Sequence, residues 1–301
     1  MSESVLQPTV VCLGQQIAGN PMQFLLRHAL DQMDMDWQCV TAKVDIGSLA
    51  KAVTGIAAMK LRGIIFLEPL TTNVLPVDLL DAAADGLAPV TAMRRSEAYW
   101  KTHDCQPVAI WESVIAPYLR KRAQVVSDLD ASISIGVIGS KAMLQHYAET
   151  DSRWATQVDW FADGQHSNLS TDREEESRSQ GSSGEKNVPD GNGQDQSPTK
   201  SQDTGQLQGI RPPYDVLILL ENTLDHLPEI ASTGSVYCVT DELLERAVKI
   251  GLPSPQRIDE NELQLQSCIA NLCFIAKIGD PKADGLRLSV LREALDEFQQ
   301  W

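Results

Sequence analysis

No run of about eighteen consecutive apolar residues occurs in the 301-residue chain, so no membrane-spanning helix is expected. The opening MSESVLQPTV has neither a basic segment nor a long apolar one and does not read as a signal peptide. Aromatic residues are scarce, at 5%, so the cores must be filled mainly by Leu, Ile, Val and Ala. None of the six cysteines forms a C-x-x-C pair, and Cys12 and Cys238 sit inside the apolar runs TVVCL and VYCV. That usage is expected of reduced core thiols in a cytoplasmic protein. Cys268 and Cys273 are spaced to fall on different faces of a helix, which argues against a shared metal. His28, His103, His146 and His226 lie far apart and show no metal-ligand spacing. There is no G-x-S-x-G elbow, no P-loop and no paired-carboxylate signature. Positive charge is also short, for the formal net charge is −16. Such a chain repels phosphate backbones and anionic lipids, so neither nucleic acid nor membrane is expected as a partner.

What is present is an alternation of short apolar runs with helical periodicities. Thr9–Leu13, Trp37–Val44 and Gly63–Leu67 read as strands. Between them, Pro21 opens a helix with Phe24, Leu25, His28, Ala29 and Met33 on one stripe, and 46–59 forms a second. Strand–helix–strand–helix–strand implies a parallel sheet with helices on its faces. A helix over 76–84, short strands at 89–93 and 98–101, and a helix over 108–124 that kinks or breaks near Pro117 follow.

A second alternating unit begins at Ile133, with strands at 133–138, 157–161, 214–220 and 235–239. Asp241 is the expected cap of a helix running to Ile250, and helices over 262–278 and 284–299 close the chain. Residues 163–211 interrupt this unit. They are nearly free of apolar side chains and rich in Ser, Gly, Gln, Asp and Glu, so they cannot bury enough surface to offset their ordering entropy. A disordered insertion is expected there. The pattern predicts two α/β domains, 1–125 and a Rossmann-like 126–301, with the C-terminal helices packing back on the first.

The order of these signals resembles the shikimate dehydrogenase family over nearly the whole chain outside 163–211. Gly14, Ile17, Ala18 and Pro21 match the family's first loop, G-x-P-I-x-H-S-x-S-P, and MDMDWQCVTAKV is similar to its helix-to-strand turn. The stretch 63–69 stands where the family has G-x-N-V-T-x-P-x-K, and LAPVTA where it has A-G-A-V-N-T. YDVLILLEN is similar to the strand that precedes the nicotinamide end of the cofactor. The resemblance implies a substrate domain with a mixed sheet, a Rossmann-like domain, NAD(P)-dependent oxidoreduction and a place in aromatic amino acid biosynthesis.

The family's working groups, however, are mostly replaced. Its substrate-carboxylate serines fall near Gly19 and Asn20, its catalytic lysine on Thr71, the Asn of A-V-N-T on Thr91, and the Asp of N-T-D-G nearest Pro107. Asp104 lies close by but out of step. A substrate hydroxyl facing an apolar replacement loses about 1–3 kcal/mol. Several such losses remove most of the roughly 4–8 kcal/mol of a millimolar-to-micromolar complex. Losing a placed acid or base costs about 100- to 10,000-fold in rate. In the cofactor loop only Gly139 of G-x-G-G survives, followed by Ser140 and Lys141. Either Lys141 pairs with a phosphate at a helix N-terminus, or it is a solvated side chain where a cofactor once bound. Asp163 either contacts a ribose or simply begins the disordered insertion.

The leading expectation is a catalytically impaired relative that keeps an inter-domain cleft for ligand or partner binding, as a monomer or homodimer, with NAD or NADP the cofactor the resemblance allows but the altered loop disfavours. Two alternatives stand beside it. One is an active dinucleotide-dependent enzyme in which Thr71, Thr72 or Asn73 replaces the lost groups. The other is an interaction module that uses the acidic insertion.

Overall fold

The computed structural model describes residues 7–68, 70, 89–96, 99–125, 134–162, 165–167, 214–221 and 230–300. The first sheet is built from β1 (Thr9–Gly14), β2 (Gln38–Lys43), β3 (Gly63–Phe66), β4 (Ala92–Arg95) and β5 (Trp100–His103), in the order β2-β1-β3-β4-β5. β1 pairs in parallel with β2 and β3, and β4 runs antiparallel to both of its neighbours.

The central strands are apolar throughout because each face is covered by helices. Val10, Cys12, Ile65 and Leu67 point to a core shared with α1 (Met22–Gln32), α8 (Glu260–Ala276) and α9 (Leu288–Phe298). Their chain neighbours Val11, Leu13, Ile64 and Phe66 point the other way, onto α2 (Leu49–Ala58). The buried stripe of α1 is Leu25, Leu26, Ala29 and Leu30, so Phe24 and His28 meet at its margin instead, with their rings tilted at 57°. Where α8 crosses β3 the approach is close. A Cβ added to Gly63 would lie 2.6 Å from the Ile275 side chain.

The segment after β5 does not break at Pro117. α3 (Gln106–Ile110) widens into one π-turn over Trp111–Ile115 and resumes as α4 (Ala116–Val125). The N–H of Ala116 reaches the Trp111 carbonyl. Proline offers no N–H to the preceding turn, and the widened turn accommodates that loss without ending the helix.

The second sheet contains β6 (Ile135–Ile138), β7 (Asp159–Ala162), β8 (Gln165–Ser167), β9 (Tyr214–Leu219), β10 (Ile230–Cys238) and β11 (Pro255–Arg257). Their order is β11-β10-β9-β6-β7-β8, parallel except for β8. One face packs on α5 (Lys141–Thr150), α6 (Arg153–Thr156) and the π-turn, through Tyr147, Trp154 and Trp111. The other packs on α7 (Asp241–Lys249).

Two expectations differ here. β8 lies inside the stretch 163–211 assigned to disorder. It is held by backbone pairing to β7, which polar side chains at a sheet edge permit. The rest of that stretch, the helix expected over 76–84, Thr71, Thr72, Asn73, Asp163 and His226 lie outside the described residues. The cap of α7 is Thr240 rather than Asp241. Thr240 has extended backbone angles and its hydroxyl accepts from the Leu243 N–H, while Asp241 already belongs to the first helical turn.

Candidate functional site at the domain junction

Strand direction decides which residues meet. β1, β3 and β5 end on one edge of the first sheet, and β4 starts there, so this edge carries Gly14, Leu67, Thr91 and Asp104. In the second sheet the chain leaves β6 for β7 on one side and later returns to β9 on the other. The ends of β6 and β9 therefore form the topological switch point where open α/β sheets bind ligands, and it carries Gly139, Ser140 and Glu221.

Asp104 follows β5 directly, and its side chain is only 1% exposed. One carboxylate oxygen accepts the Gln106 N–H at 2.9 Å at the start of α3. The other lies 3.0 Å from Nε2 of His146 on α5. Nearby, the indole N–H of Trp154 donates to the Pro107 carbonyl at 3.1 Å. These contacts dock the Rossmann-like domain on the first. Tyr147 stays a neutral phenol because burial, then the charges of Asp104 and Glu221, push its pKa up.

Thr91 is consumed by the local architecture. Its hydroxyl oxygen accepts the Cys105 N–H at 2.8 Å and lies 3.2 Å from both the His103 carbonyl and Asn271 Oδ1. Burial pushes the Cys105 thiol up to about 12, so it is no thiolate nucleophile.

His103 turns away from Asp104 and stacks on Phe274, with ring centroids 4.7 Å apart. Burial lowers its pKa, opposed by Asp104 and assisted by His146 and Arg94, so the ring is neutral near pH 7. It faces a cavity of about 680 Å³. One wall is the α8 stripe Gln266, Ile269, Ala270 and Cys273, and the opposite wall includes Glu112 and Arg153. Arg153 is fixed by Asp151 at 2.7 Å and by Glu112 at 2.6 Å, above the Trp111 ring. This cavity takes residues from both domains and suits a small molecule in size.

At the switch point the start of α5 already holds an anion. The Ser140 N–H donates to the Glu221 carboxylate at 2.8 Å and the Ser140 hydroxyl to its other oxygen at 3.2 Å. The hydroxyl oxygen also caps the helix by accepting from the Met143 N–H. A carboxylate is well placed there, since helix N-termini favour negative charge. It stands where a dinucleotide's pyrophosphate is bound in such folds. Two like charges about 4 Å apart repel by about 4 kcal/mol in a protein-surface environment.

The expected site residues thus separate into groups. Gly139, Ser140 and Lys141 come together at the α5 start, with Lys141 exposed. Gly19 is exposed with φ 76°, and the Asn20 carboxamide oxygen accepts the Met22 N–H at 2.9 Å, which turns it toward α1. Pro107 is buried in the first turn of α3 and offers only its carbonyl, to Trp154. The buried acid at this edge is Asp104. Sequence reasoning missed its pairing with His146 and missed Glu221. The one available signal was that each ends a strand on the ligand-binding edge. Among the described residues no cluster of His, Cys, Asp or Glu fits a metal.

No family model matches the chain, and no curated protein matches it. Solved structures do. Ligand-free 5-ketofructose reductase of Gluconobacter sp. strain CHM43 superposes with a TM-score of 0.51 at 14% identity, covering 97% of this chain and 98% of that one. A shikimate 5-dehydrogenase-like protein gives 0.51 at 11%, covering 99% and 100%. The fold is that of the shikimate dehydrogenase-like proteins. A shikimate dehydrogenase in complex with NADP+ also matches, with a TM-score of 0.50 at 10% identity over 97% of this chain and 95% of that one. Within this shikimate dehydrogenase-like fold, the Asp104–His146 contact and the Glu221–Ser140 contact lie at the carboxyl ends of the strands of the two sheets.

Proposed function

We propose that the chain is a small-molecule-binding protein built on the shikimate dehydrogenase-like fold, with no dinucleotide-dependent hydride transfer of its own. The observation that carries this reading is the Glu221 carboxylate on the Ser140 N–H at 2.8 Å. It fills the anion position at the α5 N-terminus and meets any pyrophosphate with like charge. The inward-facing roles of Thr91 and Asn20 point the same way, because the Thr91 hydroxyl and the Asn20 carboxamide oxygen are spent on the protein itself. The ligand belongs in the 680 Å³ cavity at the junction, where the apolar α8 stripe meets His103, Gln266 and charged side chains such as Glu112, Arg153 and Lys282, a lining that favours a compact polar molecule. The test is turnover and binding by purified protein with shikimate and NAD or NADP. The expectation is no cofactor reduction above background, and saturable reduction overturns the proposal.

A second reading rests on a different observation. Asp104 and His146 form a buried acid–imidazole contact at the junction, a pairing that serves general acid–base chemistry in oxidoreductases. On that reading the chain is an NAD(P)-dependent enzyme for another alcohol or ketone. It then requires Glu221 to swing off Ser140 when cofactor arrives, and a cofactor-induced rise in Tm is its signature.

A further inference from the structure

At the edge of the first sheet opposite the domain junction lies a second cavity, of about 700 Å³. β1 and β3 begin here, β4 ends here, and α2 and α8 finish here. Four cations line it, Lys60, Arg62, Arg95 and Lys277, and no acidic side chain does among the described residues. In a chain of 41 acidic and 25 basic residues this concentration runs against the overall charge. None of the four makes an ion pair with a described residue.

Helix ends explain part of this cluster. Lys60 and Lys277 follow the C-termini of α2 and α8, where cations are favoured, and Arg95 donates to the Ala57 carbonyl at 2.9 Å. They do not explain Arg62. Its Nε is shut off from solvent without an acceptor, and its guanidinium has only the Trp37 ring, 5.5 Å away. The Arg95 N–H donates to the Arg62 carbonyl at 3.1 Å, so the two arginines also sit side by side on neighbouring chain segments. Adjacent like charges in a sheet destabilise it. An anion in the cavity would offset the four charges and accept from the ammonium and guanidinium groups that line it.

We propose that this cavity binds a small molecule through a phosphate or diphosphate group. The four cations supply the charge, and the Ser96 and Tyr99 side chains at the rim can add hydrogen bonds. The strongly negative remainder of the chain disfavours extended polyanions and so selects for a compact ligand.

The experiment is calorimetric titration of the full chain with inorganic pyrophosphate at low ionic strength, on wild type and on the Lys60→Gln/Lys277→Gln double variant. Both lysines are exposed, so the variant should fold. The expected result is one saturable site in wild type, weakened about tenfold or more in the variant, a ratio worth about 1.4 kcal/mol. Arg62→Gln should weaken it further, and added salt should weaken wild type. Three results overturn the proposal: no saturable heat, binding that the double variant leaves unchanged, or binding of an acidic peptide while pyrophosphate stays inert.

Discussion

The Asp104 carboxylate at the end of the first sheet lies 3.0 Å from Nε2 of His146 on the first helix of the second domain, with the aspartate 1% and the histidine 23% exposed. The contact joins the first sheet to the first helix of the second domain, so it is both a docking contact and the main acid–base candidate.

Removing the aspartate leaves the Gln106 N–H and the His146 ring without their acceptor. Asp104→Ala should lower unfolding stability by about 1–3 kcal/mol, the usual result of leaving a buried donor without its acceptor. In urea denaturation, a double-mutant cycle with His146→Ala should show coupling of about 1 kcal/mol, whereas additive losses would mean that the contact contributes nothing of its own.

His103 gives a pH signature. Its pKa is lowered in the fold, chiefly by burial, so the unfolded chain binds a proton that the folded chain resists. Its contribution to stability is therefore intact above the unfolded value near 6.5 and is lost as pH falls below it. Wild type should lose more stability than His103→Phe as pH is lowered below about 6.5, measured as chemical-denaturation midpoints across pH. Parallel profiles would show that the ring is not protonation-sensitive.

Gly63 marks the closest approach of α8 to the first sheet. Gly63→Ala puts a methyl group 2.6 Å from the Ile275 side chain, and the helix must shift or the rotamer change. A loss of about 1–3 kcal/mol is expected by urea denaturation. The clash is with the γ-carbons of Ile275, so losses smaller than additive in a double-mutant cycle with Ile275→Ala would assign the effect to this contact.

Glu221 closes the α5 N-terminus. Glu221→Ala should expose the Ser140 N–H to anions, so millimolar orthophosphate should raise the Tm of the variant more than that of wild type. Equal shifts would show that the carboxylate does not guard this position.

The central strands were legible because they are buried on both faces and so read as continuous apolar runs, as in TVVCL and GIIF. The helix periods were legible for the same reason, though the buried stripe of α1 was displaced by one position, since Phe24 stands at its edge. The Asp104–His146 contact was not legible. It joins residues 42 apart through the docking of two domains, and motif spacing placed the functional acid nearer Pro107. Glu221 ends a strand, where an acid ordinarily reads as solvated, and only the topology brings it to Ser140 across 81 residues. The cap of α7 was placed one residue late because Thr240 and Asp241 are both good caps, and only backbone angles separate them. The π-turn at Trp111–Ile115 was legible only as a kink or break near Pro117, because sequence shows the missing N–H of Pro117 and not how the helix absorbs it.

The most direct measurement is a titration of NADH and NADPH, read by nicotinamide fluorescence and run in parallel on wild type and Lys60→Gln/Lys277→Gln. The account predicts that any saturable binding seen in wild type weakens about tenfold or more in the double variant, because the other phosphate position belongs to Glu221. Saturable binding of either nucleotide that the lysine substitutions leave unchanged would contradict it.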